Sequence, residues 1–270
     1  MDYTIKEYTQ LIKALQNGGY HFLTFSEHLM SSADKQHERR VILRHDVDEC
    51  PNNALKMATA EYKLGIKSTY YFRVVKKSNK PEIIKKIVEM GHEIGYHYED
   101  LSTANGDYEK AIDSFKKNLS YFRSFYPVKT VCMHGSSTSK FDNRSLWEHH
   151  KMENFGLIGE PYLSLDFSKV FYLTDTGFSW DGGRFATRDI VKNSFDLSFH
   201  STSQIINCIK EGAFPKQSMI LSHTLWTDNL LEWYYIHSRE FVRNRVKLLA
   251  MKNKFIGAFY KQLVSLYWKI

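Results

Sequence analysis

Residues 41–49 read Val41-Ile42-Leu43-Arg44-His45-Asp46-Val47-Asp48-Glu49, an apolar run that breaks into two carboxylates one residue apart. A strand buried along its length and ending in Asp-x-Asp delivers both acids to one mouth of a sheet, where a cation or a reacting water can sit. The plainer reading is a strand end closed by an Asp turn. Whether the pattern recurs downstream separates the two.

It does recur. Pro51-Asn52-Asn53 opens a helix whose Leu55, Ala58, Tyr62 and Leu64 keep a helical period until Gly65. Residues 68–75 are a β-rich run of Thr and aromatics, and Pro81 starts a second helix that Gly91 closes. Glu93-Ile94-Gly95-Tyr96-His97 is a short strand, residues 107–125 are a third helix broken by Pro127, and residues 128–133 are a strand ending at His134-Gly135. This β-α-β-α-β-α-β order demands right-handed crossovers and a parallel sheet. In parallel α/β barrels the carboxyl ends of the strands share one face, on which the loops converge. A lone histidine there is more often structural, but Asp46, Asp48, His97 and His134 together, from three strand ends, favour a metal site.

Upstream, residues 1–40 form a preamble: helical spacing from Tyr3 to Leu15, a stop at Asn17-Gly18-Gly19, a short aromatic strand or turn from Tyr20 to Phe25, and a polar loop from Ser31 to Arg40. Downstream the pattern is less regular. Residues 143–151 look helical, residues 170–173 form a strand leading into Asp175, and Phe178-Ser179-Trp180-Asp181-Gly182-Gly183 is a turn-rich loop. Residues 203–211 are a helix, Met219-Ile220-Leu221-Ser222-His223 is another buried strand ending in a histidine, and residues 229–270 are mostly helical with a break at Gly257. Without repeats, low-complexity tracts or a linker, the 270 residues read as one domain: preamble 1–40, barrel 41–228 and basic helical segment 229–270.

The 17 Tyr, 18 Phe and 5 Trp suit aromatic-lined clefts, with Trp147, Trp180 and Trp226 as candidates for a sugar platform or for core. Cys50, Cys132 and Cys208 are odd in number and widely spaced, which indicates neither a disulfide framework nor a thiolate zinc cluster. Met1-Asp2-Tyr3-Thr4-Ile5-Lys6 lacks the basic-then-apolar start of a secretion signal, and no run reaches the ~20 apolar residues of a membrane span, so a cytoplasmic location is expected. From Arg239 onward, eight Lys and Arg against one acid, Glu240, account for the whole net charge of +7. A body neutral on balance argues against nucleic-acid binding. One basic helix at the end fits a docked terminal helix with solvated cations, or a helix that binds a membrane surface or a polyanion.

These motifs resemble the polysaccharide deacetylases, carbohydrate esterase family four, also described by the NodB-homology domain. The match runs from about Val41 to His223. Arg44-His45-Asp46-Val47-Asp48 stands where the family has Thr-Phe-Asp-Asp-Gly, Gly91-His92-Glu93-Ile94-Gly95-Tyr96-His97 is close to its Gly-His-Glu-Ile-Gly-Asn-His, and Leu221-Ser222-His223 resembles its late Leu-x-His. The resemblance implies an α/β fold, a distorted (β/α)7 barrel of parallel strands with outer helices, here with a C-terminal helical extension. It also implies a metal-dependent hydrolase that removes an N-acyl group, in the first place N-acetyl, from an amino sugar. Asp46 would be the catalytic base, His223 the general acid, and Asp48 and His97 ligands of a divalent metal, usually Zn2+, with Co2+, Ni2+ or Mn2+ as alternatives. Two departures matter. Leu101 stands where the family has a second metal histidine, and Cys132-Met133-His134-Gly135-Ser136-Ser137 replaces its Arg-x-Pro-x-Gly. His134 is therefore the proposed third ligand, with Glu99 or Asp100 as alternatives, and Asp175 is the candidate to orient His223. The expected substrate is a nucleotide- or lipid-linked precursor. Hydrolysis of a small cyclic amide or ureide, and non-catalytic carbohydrate binding on the same scaffold, stay open as alternatives.

Overall fold

The computed structural model describes residues 1–31, 38–135, 139–180, 188, 191–192 and 194–269. Most of the expected polar loop after Ser31, Asp181-Gly182-Gly183 and Ser136-Ser137 lie outside the described residues. Seven strands form one parallel sheet: β1 (His21–Leu23), β2 (Arg40–Val47), β3 (Thr69–Phe72), β4 (Glu93–Tyr98), β5 (Val131–Met133), β6 (Phe171–Thr174) and β7 (Gln217–His223). Their order is β5-β4-β3-β2-β7-β6, and β1 pairs with the start of β2 on the side that β3 takes further along. The expected distorted (β/α)7 barrel is borne out as a half-barrel, since the end strands β5 and β6 do not pair with each other among the described residues.

Strand β2 is central and buried at all eight positions, as expected of a parallel strand covered on both faces. Its side chains alternate between the two faces. Ile42 joins Tyr71, Cys132, Tyr172, Met219 and Leu221 in the barrel interior. Leu43 and Val47 instead meet the clusters built with the helices. Gly95 serves the interior directly, because a Cβ there would sit 2.2 Å from the Tyr71 ring. That explains the glycine two residues before His97.

The helices are α1 (Ile5–Asn17), α2 (Phe25–Met30), α3 (Pro51–Lys63), α4 (Pro81–Glu89), α5 (Asp100–Thr103), α6 (Tyr108–Arg123), α7 (Leu146–His149), α8 (Pro161–Ser164), α9 (Thr202–Lys210), α10 (Leu230–Lys252) and α11 (Lys254–Lys269). Prolines occupy the first turn of α3, α4 and α8, where a missing N–H costs nothing. Three sequence expectations change. Helix α2, absent from the sequence reading, is started by a Thr24–Glu27 capping box. The helix expected over 143–151 is only a 3₁₀ turn, Asn143–Ser145, followed by the four residues of α7. The terminal break falls at Asn253, whose side chain accepts from the Ile256 amide, and not at Gly257. Gly257 lies inside α11, where a Cβ would approach the Ala250 carbonyl oxygen to 3.0 Å, so glycine is what lets α11 cross α10 closely. Among the described residues no helix is long and apolar enough to cross a membrane.

Candidate active site

Alternation on parallel strands brings the sequence candidates to one place. Asp46 and Asp48 are two residues apart, as are Cys132 and His134, so each pair leaves its strand on one side. Asp46 is the register partner of His223, and His97 is that of Cys132.

His97 Nε2 lies 3.5 Å from Asp48 Oδ1, and His134 Nε2 lies 3.6 Å from the same oxygen. Both imidazoles are oriented through their other nitrogen. His97 donates from Nδ1 to the Cys132 carbonyl at 2.9 Å, and His134 donates from Nδ1 to Glu99 Oε2 at 2.9 Å. With Nδ1 engaged in this way, each ring turns its Nε2 toward Asp48. Burial lowers the His97 pKa, against the pull of Asp46 and Asp48, which favours the neutral ring. Glu99 is held in turn by Arg73, with two hydrogen bonds of 2.8 Å. Burial pushes the Glu99 carboxyl up, but Arg73 and His134 more than offset it and keep the group ionised.

Asp48 tests whether this arrangement fits a cation. Its Oδ1 is buried and accepts no hydrogen bond among the described residues. A buried carboxylate oxygen without a hydrogen bond is costly even with Arg73 Nη1 3.8 Å away, and a divalent ion held by Asp48, His97 and His134 would remove that cost. One carboxylate and two imidazoles, each ring fixed from behind, is a donor set suited to zinc and its neighbours. Among the described residues, Asp46, His97 and Cys132 are the grouping whose three donor atoms lie within 4.8 Å of one another. Asp46 in that grouping already takes hydrogen bonds from Arg44 Nε at 2.9 Å and Nη2 at 2.6 Å, whereas Asp48 Oδ1 takes none and has Arg73 Nη1 at 3.8 Å.

Of the alternative ligands, Asp100 is turned away, accepting from Tyr96 at 2.7 Å and Ser114 at 2.6 Å. Glu99 stands behind His134. Leu101 is buried in the outer core and offers no donor.

Asp46 and His223, register partners on β2 and β7, have opposite charge preferences. Burial raises the Asp46 carboxyl, but Arg44 and then His97 hold it well below the usual carboxylate range. His223 donates from Nδ1 to Asp175 Oδ1 at 2.8 Å, and Asp175 also accepts from the His223 amide at 2.9 Å and from Trp226 Nε1 at 2.9 Å. Burial alone would lower His223, yet Asp175, with Asp48 and Asp46, raises it to about 10. The contact needed for the orienting role expected of Asp175 is therefore present. Trp226 and Trp180 are core residues, and Trp147 packs at the edge of the outer core.

These groups open into a cavity of about 410 Å³ whose far wall is the C-terminal hairpin, with Arg243, Lys247, Tyr260 and Tyr267 on it. Glu49 ties that wall down: it accepts from Arg239 at 2.6 Å and 3.0 Å and from the Tyr267 hydroxyl. Asn244 adds a 2.7 Å bond to the Gly177 carbonyl. The docked-helix expectation is met, but Arg239 pairs inward instead of standing in solvent. Sequence reasoning gave no role to Arg44, Arg73 or Glu49, although Arg44 stands two residues before Asp46 on the same strand face.

No family model and no curated protein matches this chain. Among solved structures it is similar to a family 4 carbohydrate esterase from Bacillus anthracis, with 14% identity, TM-score 0.39, and 86% of this chain and 85% of that chain covered. It is also similar to the Bc1960 peptidoglycan N-acetylglucosamine deacetylase, with 16% identity, TM-score 0.41, and 78% and 79% covered. A third is the peptidoglycan deacetylase PdaC from Bacillus subtilis, with 11% identity, TM-score 0.35, and 78% and 97% covered. At these scores the chemistry has to be argued from the residues themselves.

Proposed function

We propose that the protein is a metal-dependent hydrolase that removes an N-acyl group, in the first place acetyl, from an amino sugar. The observation that carries this reading is the buried Asp48 Oδ1, which accepts no hydrogen bond among the described residues and faces the Nε2 atoms of His97 and His134, in one cavity with an ionised Asp46 and a protonated His223. Asp48, His97 and His134 would hold the ion, most simply Zn2+. When bound, it supplies Lewis acidity toward an amide carbonyl and acidifies a water. Asp46, fixed by Arg44, accepts the proton of an attacking water. It is a weak base, and its constant ionisation is what suits it to that step. His223, oriented by Asp175, gives a proton to the departing amine, without which that poor leaving group would return to amide. Glu99 and the Cys132 carbonyl keep both metal-side rings in one tautomer.

The cleft, walled on one side by α10–α11, suits a short acceptor on a nucleotide or lipid carrier better than a long polymer. Acetate release from N-acetylated amino sugars by zinc-loaded protein tests the reading. Turnover lost in Asp46→Asn with its metal retained supports it. Undiminished sugar binding without turnover in either protein would point to the non-catalytic alternative.

A further inference from the structure

Helix α10 is turned inside out. Its buried face carries Glu240 and Asn244 beside Ile236, whereas its solvent face carries Leu231, Tyr234, Tyr235, Phe241 and Leu249 at helical spacing, with Val242 exposed at the cleft. Helix α11 adds exposed Phe259 and Leu266, with Leu263 exposed at the cleft. Ten of the sixteen large apolar side chains exposed among the described residues lie on these two helices, of 23 and 16 residues. So much contiguous apolar surface marks an interaction face.

Charge selects the occupant. Glu240 is the only acid among residues 239–270, and it is buried against Arg239 and Arg243. The outer face of this stretch therefore presents no carboxylate side chain, while Arg245 is exposed on it over the Phe241 ring. A second copy would set one strongly cationic segment against another. An anionic lipid surface offers both an apolar layer for the aromatics and a counter-charge for the cations.

We propose that α10–α11 docks on an anionic membrane with its outer face. The inner face of the same hairpin walls the cleft, so docking holds the cleft one helical layer from the bilayer and favours an amino sugar carried on an anionic lipid. The choice of substrate rests on the hydrolase reading; the docking itself does not.

Co-sedimentation of the full chain with vesicles of phosphatidylcholine, with and without phosphatidylglycerol, tests this. Expected is binding to the anionic vesicles that weakens in high salt. It should fall about tenfold or more in Phe241→Ser/Phe259→Ser, given ~0.8 kcal/mol per buried methylene. Arg245→Glu, which removes no apolar surface, should weaken binding as well. His97→Ala should bind vesicles like wild type, so a failure of the metal site and a failure of docking are told apart. Absence of binding to anionic vesicles, or equal binding by all three docking-face proteins, overturns the proposal. So does a lipid-free dimer that the double variant dissociates, which would make a second copy the occupant.

Discussion

Asp46 and His223 are register partners across the β2–β7 ladder, at the edge where both strands end. One is kept ionised by Arg44 and the other protonated by Asp175, so the pair is prepared for opposite proton movements. Asp46→Asn and His223→Gln should each lower kcat by ~10²–10⁴-fold while metal content stays at the wild-type level. Steady-state rates measured beside metal analysis check this. Metal lost along with activity in Asp46→Asn would move Asp46 into the ligand set.

The pH profile should respond from opposite ends. Asp175→Asn removes the charge that lifts His223 to about 10, so His223 loses its proton at lower pH and the alkaline limb of kcat moves down. Arg44→Met removes the charge that holds Asp46 low against its burial, so Asp46 takes up a proton at higher pH and the acid limb moves up. Shifts of both variants on the same limb would contradict the assignment.

Behind the metal side, Glu99→Gln keeps an acceptor for His134 but removes its charge. Metal affinity should fall by ~10–100-fold in calorimetric titration. Asp100→Asn, which disturbs only the contacts to Tyr96, Ser114 and Asn118, should leave affinity unchanged. The reverse pattern would make Asp100 the ligand.

Away from the cleft, Glu61 gathers His45 at 2.8 Å, Tyr70 at 2.7 Å, Ser68 at 2.5 Å and Tyr8. Burial raises its carboxyl, but His45 and the hydrogen bonds bring it to about 2 from its ordinary 4.5. A lowered carboxylate pKa contributes stability that is full above 4.5 and is lost as pH falls through about 2. That contribution is on the order of 3 kcal/mol. Glu61→Gln should therefore be markedly less stable than wild type at neutral pH, with the gap closing between these two values in urea denaturation. A gap independent of pH would place the cost in packing.

Most of the barrel was legible because β2, β4 and β7 are short apolar runs punctuated by Gly and Pro, a pattern that burial on both faces imposes. The strand ends carrying Asp46, His97, His134 and His223 were legible for the same reason, since position on a parallel strand fixes which edge a residue reaches. Arg44 and Arg73 were not, and Glu99 was legible only as an alternative ligand, because ion pairing across a barrel mouth leaves no periodic trace in sequence. The inverted amphipathy of α10 was hidden as well: its apolar stripe reads as a buried face until Glu49, Gly177 and Arg239 show which side is docked. Helix α2 did leave a signal, Thr24-x-x-Glu27, ahead of a stretch too short for periodicity to register.

The most direct test of the Asp48–His97–His134 centre is metal content by plasma mass spectrometry on wild type, His97→Ala, His134→Ala and Cys132→Ala, each purified after zinc loading. The expected result is near one ion per chain in wild type and Cys132→Ala, with loss in both histidine variants. Full occupancy in His134→Ala together with loss in Cys132→Ala would contradict this centre and transfer the ion to Asp46, His97 and Cys132.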